Sequence, residues 1–380
     1  MNLETPPIYS RYSTSALWVK FVVTLLLTCR VTKRLAIGLL KITVTRNIKV
    51  VTNILNGIYF CGETLSEAKD VTRMLAKNNI FSVLDYAVEG EEDELFFDDA
   101  VDFTLKLIEL ASRDSNIPYV VIKPSSLGAR ALYESRSRND TDFTQHQPAW
   151  ERVVGRYDKI FCYAHNLSVR VMIDAEQSWI QSVVDEIAME NMIKYNQETP
   201  IITLTLQCYK KGSYEFITYI NDVAIKKGIK IGIKLVRGAY LEEEMKCNKH
   251  AAEVFFSSKS ETDKNYNSVV DFIVANIENF TPFFATHNEV SINRILGDKR
   301  LSNNDFWLGQ LYGVGDHVSL NAVNKGARVC KYLPYGPFEK TFPYLLRRIE
   351  ENAVSLTTFR NENAIVRKEI VSRIISGKNE

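Results

Sequence analysis

From Ile80 onward the chain alternates between two hydrophobic patterns. Short apolar runs rich in β-branched and aromatic residues are separated by longer stretches in which apolar positions recur every three or four residues. Eight short runs can be counted: IFSVLDY from Ile80, YVVIKPS from Tyr119, VRVMIDAE from Val169, IITLTLQCY from Ile201, IKIGIKLVRGAY from Ile229, FTPFFATHN from Phe280, DFWLGQLYG from Asp305 and RVCKYLPYG from Arg328. Between them lie helical patterns such as Ser178–Gln197, in which Ile180, Val183, Val184 and Ile187 share a face. Ahead of them Glu63–Asn79 also reads as a helix, with acids early, bases late and an apolar stripe of Val71, Met74 and Leu75. Strand followed by helix, eight times over about 275 residues, predicts an α/β protein built as a (β/α)8 TIM barrel. An open doubly wound sheet is the competing arrangement; it would place a Gly-rich phosphate turn after an early strand, and the sequence contains neither GxGxxG nor GxxxxGK[ST]. The expected organisation is a basic N-terminal helical arm (1–79), the barrel (80–354) and a C-terminal helical tail (355–380).

Charge changes the picture at the N-terminus. The 380 residues carry a net charge of +1, so no nucleic acid or other polyanion is implied as a partner. Residues 1–62 hold eight Lys or Arg against one acid, Glu4, a balance of +7 that leaves −6 on the rest. Within this arm Ala16–Cys29 is the one candidate membrane segment, but Lys20 interrupts it and Arg30 ends it, well short of the ~20 apolar residues a span needs. Three readings follow: a helix packed on the body, a basic amphipathic surface touching anionic lipid, or part of a transit peptide. The six cysteines (Cys29, Cys61, Cys162, Cys208, Cys247, Cys330) show no CxxC spacing, which speaks against a zinc module or a disulfide framework and for a reducing compartment.

In a barrel the active site lies at the C-terminal strand ends, so polar residues there form a single set. They are Lys123 and Ser125, Asp174 and Glu176, Gln207 and Tyr209, then Lys234, Arg237 and Tyr240, followed by Thr286, His287 and Asn288, Gln310 and Tyr312, and Tyr332 and Tyr335. Beyond the last strand, the stretch KYLPYGPFEKTFPYLLRRIEEN places Arg347, Arg348 and Glu351 on a helix. Adjacent arginines point roughly 100° apart, so they serve one ligand only at a helix end facing a pocket, where two planar forks match a carboxylate. The alternative is a solvated Arg/Glu face. With Lys123, Lys234 and Arg237 the set is strongly cationic and implies an anionic ligand bearing a carboxylate or phosphates, with Asp174 as counter-charge. Individually, Asp174 reads equally as a helix cap, His287 as a core histidine and Gln207 as a loop tie. No metal is expected, since of the five histidines only His287 falls at a strand end and no HxH or HExxH occurs. Schiff-base lyase or aldolase chemistry on Lys123 or Lys234 stays open, as does a non-enzymatic binding scaffold.

Several motifs (GETLSEAK, SVLDYAVEGE, VMIDAEQSWIQ, KLVRGAYLEEE, ATHNE, GQLYGVGDHVS and the KYLPYGPFEKTFPYLLRRIEEN stretch) resemble the proline dehydrogenase family over Gly62 to Asn352. The resemblance implies a distorted (β/α)8 barrel holding FAD. The implied reaction oxidises L-proline to Δ1-pyrroline-5-carboxylate, first step of proline catabolism to glutamate, with electrons passed to a membrane quinone. Separately, the +7 arm with Ala16–Cys29 predicts peripheral contact with an anionic membrane, at a cytoplasmic or alternatively mitochondrial inner membrane. Residue by residue, the resemblance assigns Arg347, Arg348 and Lys123 to the proline carboxylate, Glu351 to holding the arginines, and Tyr332 to the substrate ring, favouring proline over 4-hydroxyproline. Asp174 and Lys234 match the acid and base near flavin N5, and Ala175, Gln207, Arg237, Gly238, Ala239, Thr286 and His287 match flavin-binding positions. Many bacterial members carry Arg at the Lys234 position and Lys at the Arg237 position. The resemblance therefore assigns this pair jointly and leaves open which member meets N5.

Overall fold

The structure, a computed structural model, describes residues 12–27, 58–87, 93–138, 143–247, 250–339 and 356–376, with positions 9, 32, 38 and 341. Eight parallel strands close into a barrel in sequence order, with helices between them. They are β1 (Ile80–Tyr86), β2 (Tyr119–Ile122), β3 (Arg170–Ile173), β4 (Ile202–Gln207), β5 (Ile231–Val236), β6 (Phe280–Ala285), β7 (Trp307–Leu311) and β8 (Arg328–Tyr335). Each lies within one of the eight apolar runs. Residues of β2, β4 and most of β3 and β5 are buried along their whole length, as expected where one strand face meets the barrel interior and the other the helices.

Several runs overshoot their strands by a few residues, with local causes. After Ile122 the chain reaches Pro124, which has no N–H for the ladder, and turns into a 3₁₀ segment at Pro124–Ser126. After Ile173, Asp174 N still donates to Ile122 O at 2.9 Å, but the following residues turn into the helix Ser178–Tyr195.

The chain divides into two compact units. The larger comprises Gly90–Thr286 and Gly297–Leu308. Its strands β2 to β6 form an unbroken parallel ladder through Met172↔Thr203, Thr203↔Gly232 and Ile233↔Pro282. Gly232 permits this closeness: a Cβ there would lie 2.4 Å from the Ile202 carbonyl oxygen. Tyr119 of β2 meets Phe283 of β6 edge-on at 5.3 Å between ring centroids, and Trp307 at 5.8 Å. Since β2 and β6 are not neighbours, that contact crosses the barrel interior, which is a packed aromatic core. Buried Asn196 joins helix to strand: its Oδ1 accepts from Ile201 N and Ile202 N at 2.9 and 2.8 Å, and its Nδ2 donates to Ile202 O at 2.8 Å.

The smaller unit comprises Met1–Glu89, His287–Leu296 and Gly309–Glu380. Here β1 runs beside β8 in register from Ile80↔Val329 to Tyr86↔Tyr335. The helix Leu65–Ala76, opened by a Thr64/Glu67 capping box, packs on β1. The helix Thr14–Leu27 packs against the helix Leu356–Ser376 and buries Leu17, Lys20 and Thr24. Of the three readings of this segment, the packed helix is the one observed. Among the described residues no helix is long and apolar enough to cross a membrane.

Candidate active site

In the larger unit the strand ends bring three charged groups into defined partnerships. Lys234 of β5 and Asp174 just past β3 form an ion pair at 2.5 Å, and both residues are 7% exposed. Two such groups persist out of water only as partners. An ammonium bonded to a carboxylate offers no lone pair to a carbonyl, so this pair works against Lys234 as a Schiff-base nucleophile.

The second partnership centres on Arg237, one residue beyond β5. Its Nη1 donates to Thr286 Oγ1 at 2.6 Å, its Nε to Asp263 Oδ1, and its guanidinium lies 4.2 Å from the centre of the Tyr266 ring. Asp263 also pairs with Lys259. Although partial burial opposes ionisation, Lys259 and Arg237 together hold the Asp263 carboxyl below its usual range. Asp263 and Tyr266 were not among the candidates from sequence. They sit on the helix Lys259–Ala275 instead of a strand end, and Lys259/Asp263 at i,i+4 spacing looks like an ordinary surface pair.

The third partnership centres on Glu176, which meets the chain two residues past Lys123. Glu176 accepts from Ser125 N at 2.8 Å and Ser125 Oγ at 2.7 Å. Burial raises the Glu176 carboxyl above its ordinary range, opposed by the Ser125 bonds and by the charges of Arg130 and Lys123. Gln207, the last residue of β4, donates to Glu176 O at 2.8 Å, so the loop-tying role is real. The cationic surplus suggested by the sequence is accordingly smaller than a count of side chains implies: Lys234 and Arg237 each carry a matched carboxylate.

The backbone after Arg237 is equally constrained. Gly238 adopts φ +120°, and a Cβ there would fall 1.5 Å from the Tyr209 ring. Only glycine allows the chain to pass this close to the buried tyrosine. Ala175 and Ala239 are half-buried beside these groups in sequence.

In the smaller unit, His287 Nε2 accepts from Leu311 N at 3.2 Å, which puts the ring proton of the neutral imidazole on Nδ1. Tyr332 lies within β8, is buried, and its carbonyl accepts from Tyr312 N at 3.1 Å. Arg347, Arg348 and Glu351 lie outside the described residues. No group of three or more metal-ligating side chains occurs among the described residues.

The sequence profile of the family described as Proline dehydrogenase matches residues 68–361. The chain is 45% identical over 370 residues to the carbapenem antibiotics biosynthesis protein CarD of Pectobacterium carotovorum subsp. carotovorum, spanning 97% of this chain and 98% of that one. It is 29% identical over 348 residues to the mitochondrial proline dehydrogenase 1 of Dictyostelium discoideum, spanning 77% of this chain and 60% of that one. Among solved structures, proline utilization A from Bdellovibrio bacteriovorus, inactivated by N-propargylglycine, superposes with a TM-score of 0.70 at 21% identity. That match covers 89% of this chain and 37% of the other, and it shows the fold.

Proposed function

The chain belongs to the proline dehydrogenase family of oxidoreductases, and from that premise we propose that it oxidises L-proline to Δ1-pyrroline-5-carboxylate with bound FAD as acceptor. The observation that carries this proposal is the buried Lys234–Asp174 pair at the C-terminal ends of β5 and β3. The donor set suits a flavin: the Gln207 amide, the anchored Arg237 guanidinium, the Thr286 hydroxyl and the Gly238–Ala239 backbone that directly follows Arg237. Ala175 and His287 complete the proposed flavin contacts. Bound FAD supplies, at N5, the acceptor for the hydride leaving C5 of proline.

The remaining work falls to the protein's own side chains. Arg347, Arg348 and Lys123 bind the substrate carboxylate, and Glu351 steadies the arginines; anchoring there holds the ring away from its reacting carbon. Tyr332 packs against the ring and disfavours a 4-hydroxyl. The reactive amine is neutral and the product an iminium, so Asp174 balances the developing positive charge while Lys234 keeps the carboxylate oriented. Electrons then pass to a quinone, with the protein peripheral to an anionic inner membrane, cytoplasmic or mitochondrial.

Purified protein is expected to be yellow, to bleach on anaerobic addition of L-proline, and to regain colour when anionic vesicles carrying a quinone are added. A colourless protein that takes up no FAD would sink the flavin reaction. Colour restored by oxygen alone would remove the quinone and membrane part.

The 45% identity to CarD across nearly the whole chain favours a second reading of the product's fate. The pyrroline then feeds a biosynthetic sequence instead of proline breakdown. A strain lacking the protein is expected to grow normally on proline as nitrogen source; loss of that growth would restore the catabolic reading.

A further inference from the structure

The smaller unit holds four completely buried charges. Lys20 Nζ is 2.9 Å from Glu362 Oε1 and 3.5 Å from Asp316 Oδ2, and Asp316 Oδ1 is 3.0 Å from Lys331 Nζ. All four side chains are 0% exposed. The quartet is neutral overall, and apolar residues of similar volume would hold the helices together at least as well. Its distinguishing property is therefore geometric.

That geometry converges on residues 311–315. Lys20 donates to Gly313 O at 2.8 Å; Lys331 donates to Val314 O at 2.7 Å and Leu311 O at 3.3 Å; Gly315 N donates to Glu362 Oε2 at 3.2 Å. Gly313 and Gly315 have φ of +76° and +62°, so the segment curls in a way that side-chain clamps can pin from several directions. The same segment makes the bonds noted above, from Leu311 N to His287 Nε2 and from Tyr312 N to Tyr332 O. One peptide thus separates the charge network from each of two residues assigned to flavin and substrate.

We propose that the Lys20–Glu362–Asp316–Lys331 quartet is a positioning device, which sets His287 and Tyr332 through the backbone of residues 311–315. The helices Thr14–Leu27 and Leu356–Ser376 are then part of the site's working geometry. The roles of His287 and Tyr332 rest on the proposed function; the placement of the His287 ring does not.

The test uses the full chain with Lys20→Met/Glu362→Gln, which removes one charge of each sign and leaves Lys331–Asp316 matched. Histidine-selective ¹⁵N spectra of flavin-free protein, assigned with His287→Asn, read the His287 tautomer among the five histidines. The expected result is a folded protein in which the Nδ1-protonated signal of His287 gives way to a tautomer mixture. In the flavin-loaded protein the KM for L-proline rises at least tenfold while kcat changes less. A folded double variant with the wild-type ring signal and wild-type KM overturns the proposal. Should the double variant not fold, Lys20→Arg decides in the same way, because it keeps the charge and changes the donor geometry. If wild-type protein oxidises no proline, the functional reading fails while the tautomer measurement still decides the positioning role.

Discussion

Replacing Asp174 by Ala is expected to cost about 3–5 kcal/mol of stability, the usual result of leaving one member of a buried ion pair without its partner. The Lys234 ammonium, 7% exposed, would lose its 2.5 Å carboxylate. Activity should fall further than stability accounts for, since the same carboxylate is assigned to the charge that develops on the substrate nitrogen. A loss of kcat/KM of roughly a hundredfold or more follows if that stabilisation is worth ~3 kcal/mol. The double variant Asp174→Ala/Lys234→Met separates the two effects. It removes both charges, so its thermal midpoint should recover towards wild type while kcat/KM stays low. Recovery of both together would make the pair structural only, and a single variant with unchanged melting would contradict its burial.

Arg347→Met or Arg348→Met is expected to raise the KM for L-proline by ~2–4 kcal/mol equivalents, roughly thirty- to a thousandfold, with little effect on bound FAD. The reason is the chemistry of a planar fork facing a carboxylate: methionine keeps an unbranched apolar stem and removes every donor. A solvated Arg/Glu face, the competing interpretation of RRIEE, predicts changes within a factor of about two, because exposed pairs contribute at most ~1 kcal/mol. Flavin content measured beside KM keeps the outcome specific. Unchanged KM in both variants would eliminate the carboxylate clamp and leave Lys123 as the anion-binding residue to examine.

The barrel was legible because barrel strands are buried on both faces and so appear as near-continuous apolar runs, eight of them in order. Their ends were less legible. Lys123, Asp174 and Arg237 continue an extended pattern in sequence, yet each lies one residue past the end of its strand, where proline or the turn towards the next helix takes over. The pairing of Asp174 with Lys234 was anticipated in kind, as counter-charge in a cationic set. Asp263 was not, because its residue type and spacing on the helix Lys259–Ala275 carry no mark of the Arg237 it meets. Lys20 is the sharpest case. In sequence it interrupts an apolar stretch; in the structure its partners come from residues 316 and 362, and no local pattern could have named them.

The bond between Lys20 and Glu362 also bears on how the chain is made. Strands β2 to β6 can pair with their neighbours as they emerge from the ribosome, but the helix Thr14–Leu27 finds its mate only after roughly 340 further residues. At ~5–20 residues per second that is a wait of roughly 17 to 70 s, during which a lysine destined for full burial has no carboxylate from the last helix. Completion of the smaller unit is therefore a late, non-local event set by translation time, and chaperone demand should concentrate on that interval.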